Sequence, residues 1–375
     1  MNNLAAVPVP GLRVALAFGL LLGLTACQTL PFERDGVRTS VSTDRFVLPS
    51  DGDMIGQVQV VVAHQEDTLP EIARRFNLGF DEIVAANPGV NVWMPGEGKR
   101  VVLPTEFVLP DAPRKGIVLN LATMRLYYYP EPKAGEPPTV ITHPVGIGRE
   151  GWVTPTGTTK VVKKVEGPSW SPPASIRREH AAQGDPLPAR VPPGPDNPLG
   201  THALRLGWPS YLIHGTNKPY GIGMRVTHGC VRLYPEDIVK MYQEVPLGTQ
   251  VRVVNQPFLV GRRNNQLYLD AHPPLEDDKR DWNKRLHKLV EEASQDVHGG
   301  KVDWDKTERV AKGGWGVPVP ILVGAPSIEA IVTGAPIVAN VAPPNGNYQG
   351  RTPSLTASPN GESGLSQLIT ELIGN

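Results

Sequence analysis

A chain of 375 residues in which 37 Lys plus Arg balance 37 Asp plus Glu has no net field to hold a phosphate backbone, which argues against a nucleic-acid partner. Its 40% hydrophobic and 20% charged residues leave apolar mass for a core, while 39 Gly and 40 Pro make it loop-rich. Two cysteines are too few for a disulfide framework, so each needs its own explanation.

In chain order, Arg13 precedes a charge-free apolar run over 14–24 that ends at Leu24-Thr25-Ala26-Cys27. Eleven residues are about half of what a bilayer span needs, so residues 1–26 read as a cleaved signal peptide. Leu24-Thr25-Ala26-Cys27 resembles the lipobox of bacterial lipoproteins. That resemblance implies lipidation of Cys27 as the first mature residue, and Gln28 after it implies outer-membrane retention on the periplasmic side. Residues 27–57 then read as a lipid-anchored linker.

Residues 58–105 carry a compact pattern. Alternation around Val58, Val60 and Val62 suits a strand. Thr68-Leu69-Pro70-Glu71 is a capping box, with Leu69, Ile72, Ala73 and Phe76 on one helical stripe. Asp81 caps a second short helix stopped at Asn87-Pro88-Gly89, and 100–103 closes as a strand. This β-α-α-β order, with Asp67-Thr68-Leu69, Ile72-Ala73, Asn87 and Leu103-Pro104, resembles the LysM module that binds N-acetylglucosamine polymers. The resemblance implies a peptidoglycan glycan ligand, read through the loops after Asp67 and around Asn87.

After a Pro-rich joint at 109–113, strands are predicted at 117–121, 126–129, 140–145, 159–165, 203–206, 211–214 and 249–254. Residues 167–198, dense in Pro, Gly and charge, form a long surface excursion of the sort that serves a site. The domain is therefore mostly β. Cys230 lies in Thr227-His228-Gly229-Cys230-Val231-Arg232, where Gly229 permits a tight turn that exposes the sulfur. His214-Gly215-Thr216 ends a strand, and a strand end and a following turn bring such a pair together, with the imidazole supporting a thiolate nucleophile.

Gly146-Ile147-Gly148, Thr154-Pro155-Thr156-Gly157, Pro168-Ser169-Trp170, Ile213-His214-Gly215-Thr216 and the whole run Thr227 to Arg232 make residues 116–254 resemble the YkuD-type L,D-transpeptidase catalytic domain, a β-sandwich, in its periplasmic murein-acting branch. The resemblance implies Cys230 as nucleophile, His214 as base and then acid, and the Gly215 carbonyl as the group orienting the imidazole. It implies oxyanion donation from the amides of Gly229 and Cys230, a substrate-binding Arg232, and a turn shaped by Thr227 and His228. Trp170 reads as lid or cleft wall. The implied substrate is a peptidoglycan tetrapeptide stem, and the acceptor is a diaminopimelate amine, a lysine of the major murein lipoprotein, or water. No cofactor and no metal are expected: a zinc site of His214, His228 and Cys230 lacks a completing ligand pair. A non-catalytic peptidoglycan-binding lipoprotein is the other alternative. Residues 255–324 read as a helical extension, with helices at 276–294 and 303–311, and 325–375 as a disordered tail ending in a short apolar stripe at 365–373.

Overall fold

The computed structural model describes residues 44–341 and the backbone of one further strand, Val37–Arg38. Cys27, the signal segment and the stripe at 365–373 lie outside the described residues. Seven α-helices are described: α1 (Leu69–Arg75), α2 (Phe80–Ala86), α3 (Ala174–Ala182), α4 (Pro235–Glu244), α5 (Trp282–Ser294), α6 (Trp304–Gly313) and α7 (Ile328–Gly334). None is long and apolar enough to cross a membrane. The fold is mostly β.

Its centre is a nine-stranded mixed sheet. The order runs Val231–Arg232, Leu212–His214, His202–Leu206, Gly157–Glu166, Gln250–Val254, Gly116–Asn120, Arg125–Tyr129, Thr139–Pro144 and Arg45–Val47. Two of its pairings are parallel, Ile213 with Val231 and Val251 with Ile117. Strand alternation divides the side chains between two cores. Ile117, Leu119, Leu126 and Tyr128 face a core that α4 closes with Ile238 and Met241. Val118, Tyr127 and Tyr129 face the other way, into a core shared with Leu69, Ile72, Phe76 and Ile83 of α1 and α2. The near-continuous apolar run at 126–129 is thus a strand buried on both faces.

The small β-α-α-β unit comprises Gln59–Val62, α1, α2 and Arg100–Leu103, and it is fused to the sheet. Thr68 and Glu71 cap α1 reciprocally, as the capping box predicts. α2 starts two residues earlier than a cap at Asp81 suggests: Gly79 is the cap, and its amide donates to Glu82 Oε2 at 2.7 Å. Buried Asn87 accepts from the Val102 amide at 2.8 Å and donates to the Ile83 and Val102 carbonyls, so its side chain braces the unit internally. Glu82 also takes Arg125 of the central sheet in a bidentate pair, 2.7 Å at each oxygen, with Arg125 fully buried. Next to this pair, Phe80 and Asp81 donate to the carbonyls of Ile222 and Gly223. A Cβ on Gly79 would lie 2.6 Å from the Gly223 Cα, so only glycine permits this approach.

Three boundaries differ from the sequence reading. The expected linker contributes Arg45–Val47 to the edge of the central sheet and Met54–Gly56 to a pair with Glu106–Val108. Three-residue strands are too short to show a period against turn residues. The extension is mixed rather than helical: Phe258–Arg263 and Gln266–Ala271 form a hairpin that packs on α5 and α6. Its two-residue turn, Asn264-Asn265, has both residues at positive φ, the local signal for such a hairpin. The expected tail is ordered to residue 341: α7 leads into Ile337–Val338, which pairs in parallel with Gln59–Val62. Asn340 then donates to Asp67 at 2.6 Å and to the Val62 carbonyl at 2.9 Å, covering the start of α1.

Candidate active site

His214 ends the strand Leu212–His214, and Arg232 sits beside it in parallel register. Just before this pair, Cys230 receives the Leu212 amide on its sulfur, and the Arg232 charge acts on both the Cys230 thiol and the His214 imidazole, so the three side chains gather at this strand end. The His214 Nδ1 lies 2.6 Å from the Gly215 carbonyl oxygen and donates to it, which leaves Nε2 with the lone pair. Gly215 is constrained in turn: a Cβ there would meet Ile238 Cγ2 at 2.9 Å.

Cys230 is half-buried, donates its thiol to the Ser210 carbonyl at 3.5 Å, and receives the Leu212 amide. Among the described residues the sulfur makes no hydrogen bond to the imidazole. Burial pushes the thiol pKa up, against the opposing pull of the Leu212 amide and the Arg232 charge. Burial, reinforced by Arg232, pushes His214 down to about 3. The resting pair is therefore a neutral thiol and a neutral imidazole. The cause is desolvation, which penalises both charged forms.

The turn before Cys230 is tied from both sides. Gly229 has φ +98°, and a Cβ on it would sit 3.1 Å from Tyr211 Cε1. Thr227 Oγ1 accepts the Gly229 amide at 3.1 Å and donates to the Cys230 carbonyl at 2.6 Å, shaping the turn as expected. The Gly229 amide, expected as an oxyanion donor, is thereby engaged by Thr227 in the resting turn. Thr154 holds the same turn from outside, donating to the Gly229 carbonyl at 2.9 Å and accepting from Gly148. Arg232 is pinned through its backbone, with paired 2.9 Å bonds to Gly146, while its buried Nε has no partner among the described residues.

His228 does not join the turn. Its Nε2 lies 3.2 Å from Glu179 Oε2 on α3 and 3.2 Å from Arg149 Nη2, and the Trp152 ring meets its ring edge-on at 4.7 Å between centroids. Trp170 is elsewhere: paired backbone bonds to Val191 hold it at the base of the excursion. The indole that packs on the motif's His228 is Trp152. Arg149 and Glu179 carried no sequence signal, since their meeting depends on where α3 packs. Thr154 was visible only as part of a Thr-Pro-Thr-Gly turn.

Residues 114–253 match the YkuD family, the L,D-transpeptidase catalytic domain. The chain is 43% identical over 245 residues to the Probable L,D-transpeptidase YbiS of Escherichia coli K12, covering 64% of this chain and 78% of that one. It is 39% identical over 291 residues to the Probable L,D-transpeptidase ErfK/SrfK of Salmonella typhimurium, covering 76% of this chain and 93% of that one. With relatives at 43% and 39% identity matched over most of their length, the chain belongs to the YkuD family of L,D-transpeptidases.

Proposed function

We propose that the enzyme acts through Cys230 on peptidoglycan tetrapeptide stems. As the carbonyl of the third stem residue meets Sγ, the thiol proton passes to His214 Nε2 and the S–C bond forms. The Cys230 amide faces the developing oxyanion. Collapse breaks the C–N bond, His214 returns the proton to the departing D-alanine amine, and a thioester remains. An acceptor amine then attacks the thioester, His214 takes its proton, and the thiol leaves reprotonated. Because both groups rest neutral, proton transfer accompanies attack instead of preceding it. The observation carrying this reading is the gathering of Cys230, His214 and Arg232 at one strand end, with Nδ1 fixed by the Gly215 carbonyl.

The acceptor is an amine: the terminal lysine of the major murein lipoprotein, or the diaminopimelate side chain in a 3→3 crosslink, with water giving a carboxypeptidase. The lipobox-like run Leu24-Thr25-Ala26-Cys27 and Gln28 after it support a lipid-anchored periplasmic protein in the outer membrane, which favours lipoprotein attachment. The LysM-like pattern at 58–105 supports glycan binding, through surface groups other than the internally committed Asn87. Muropeptide mass spectrometry of cells carrying the wild-type protein or Cys230→Ser tests this. The variant should lose the lipoprotein remnant or 3→3 dimer by roughly a thousandfold or more. Undiminished product in the variant would sink the cysteine mechanism.

A further inference from the structure

Helix α3 lies in the long excursion and buries only one side chain, Ile176. What ties it to the catalytic motif is Glu179, whose carboxylate bonds Arg149 and also lies 3.2 Å from His228. Arg149 directly follows Gly146-Ile147-Gly148, and its amide bonds the Thr227 carbonyl at 2.9 Å, so its backbone is anchored to the motif itself. Its guanidinium is only partly used: the Nε is buried and has no partner among the described residues. A planar fork with one arm on a carboxylate and a desolvated donor unmatched is built for a second or better-placed carboxylate.

We propose that Arg149 is the receptor for the free terminal carboxylate of the donor stem peptide, and that Glu179 occupies it in the resting enzyme as an internal stand-in. The proposal rests on Cys230 being the reacting group. The terminal D-alanine carboxylate lies one residue beyond the scissile bond, and Arg149 is joined through His228 to the residues just before Cys230. Substrate entry exchanges one carboxylate for another on Arg149, and α3, held by little apolar burial, moves aside. The exchange selects peptides that end one residue after the scissile carbonyl with a free acid.

The test is binding to the full chain carrying Cys230→Ser, titrated with a stem tetrapeptide ending in D-alanine and with the same peptide as its C-terminal carboxamide. The acid should bind at least about tenfold more tightly than the amide. Arg149→Gln should bring that ratio to near one, Arg149→Lys should keep part of it, and Glu179→Gln should tighten the acid severalfold with little change for the amide. Equal binding of the two peptides, a ratio that survives Arg149→Gln, or no tightening in Glu179→Gln would each overturn the proposal. Should Arg149→Gln not fold, the Glu179→Gln result decides. Turnover retained in Cys230→Ser would instead sink the catalytic reading, while the acid-to-amide ratio would still report on Arg149.

Discussion

At the residue scale, desolvation governs the chemistry. His214 held down to about 3 stays neutral across the pH range in which an ordinary histidine titrates, and the raised Cys230 thiol stays protonated through neutrality. In the proposed mechanism the reactive form is the doubly neutral pair, populated between those two limits. The profile of kcat/KM should therefore be flat from about pH 5 to 8, with its acid limb near the depressed histidine value. Steady-state assays across that range check this, and an acid limb centred between about 6 and 7 would show an ordinary imidazole. Gly229 supplies the second prediction. Its positive φ and the 3.1 Å approach of Tyr211 leave no room for a methyl group. Gly229→Ala should cost about 1–2 kcal/mol in stability and lower the rate of thiol alkylation, measured by urea unfolding and by reaction with iodoacetamide.

At the scale of elements, the site is made where short strands end. Parallel pairing of Leu212–His214 with Val231–Arg232 sets the histidine beside the arginine at the strand end that Cys230 leads into, and α4 packs against the pair through Ile238. The strands were legible from their β-branched and aromatic runs, and His214 and Cys230 from their neighbouring glycines. α4 was not anticipated, although Pro235 at its first turn and Ile238 and Met241 at helical spacing mark it. α3 was hidden for a different reason. With one buried residue it has almost no amphipathic stripe, and its hold on the motif is an ion pair that no sequence period reports.

At the scale of the whole molecule, the β-α-α-β unit is part of the catalytic body, not a bead on a tether. It shares a core with the central sheet, and the buried Arg125–Glu82 pair spans the junction. Removing one partner leaves a desolvated charge, so Glu82→Gln should destabilise the protein by about 3–5 kcal/mol. The wild type should unfold in one urea transition, with Cys230 accessibility and intrinsic fluorescence changing together. Two separated transitions would show an independent module. The same junction reaches the active site: α2 bonds Ile222 and Gly223, just ahead of the strand that leads to Thr227. The ordered C-terminal strap adds a strand to the unit and places Asn340 on Asp67.

The sequence by itself determined the class of the protein and singled out the cysteine and histidine proposed to carry the chemistry, the motif that frames them and the capped helix of the small unit. Each of these is written in local chemistry: a glycine beside a cysteine, a capping box, alternation along a strand. Tertiary structure alone decided the neutral protonation of the catalytic pair, the commitment of the Gly229 amide to Thr227, the meeting of Arg149 with Glu179, and the fusion of the small unit to the sheet. Those depend on burial and on contacts between segments far apart in the chain, and local residue order carries neither.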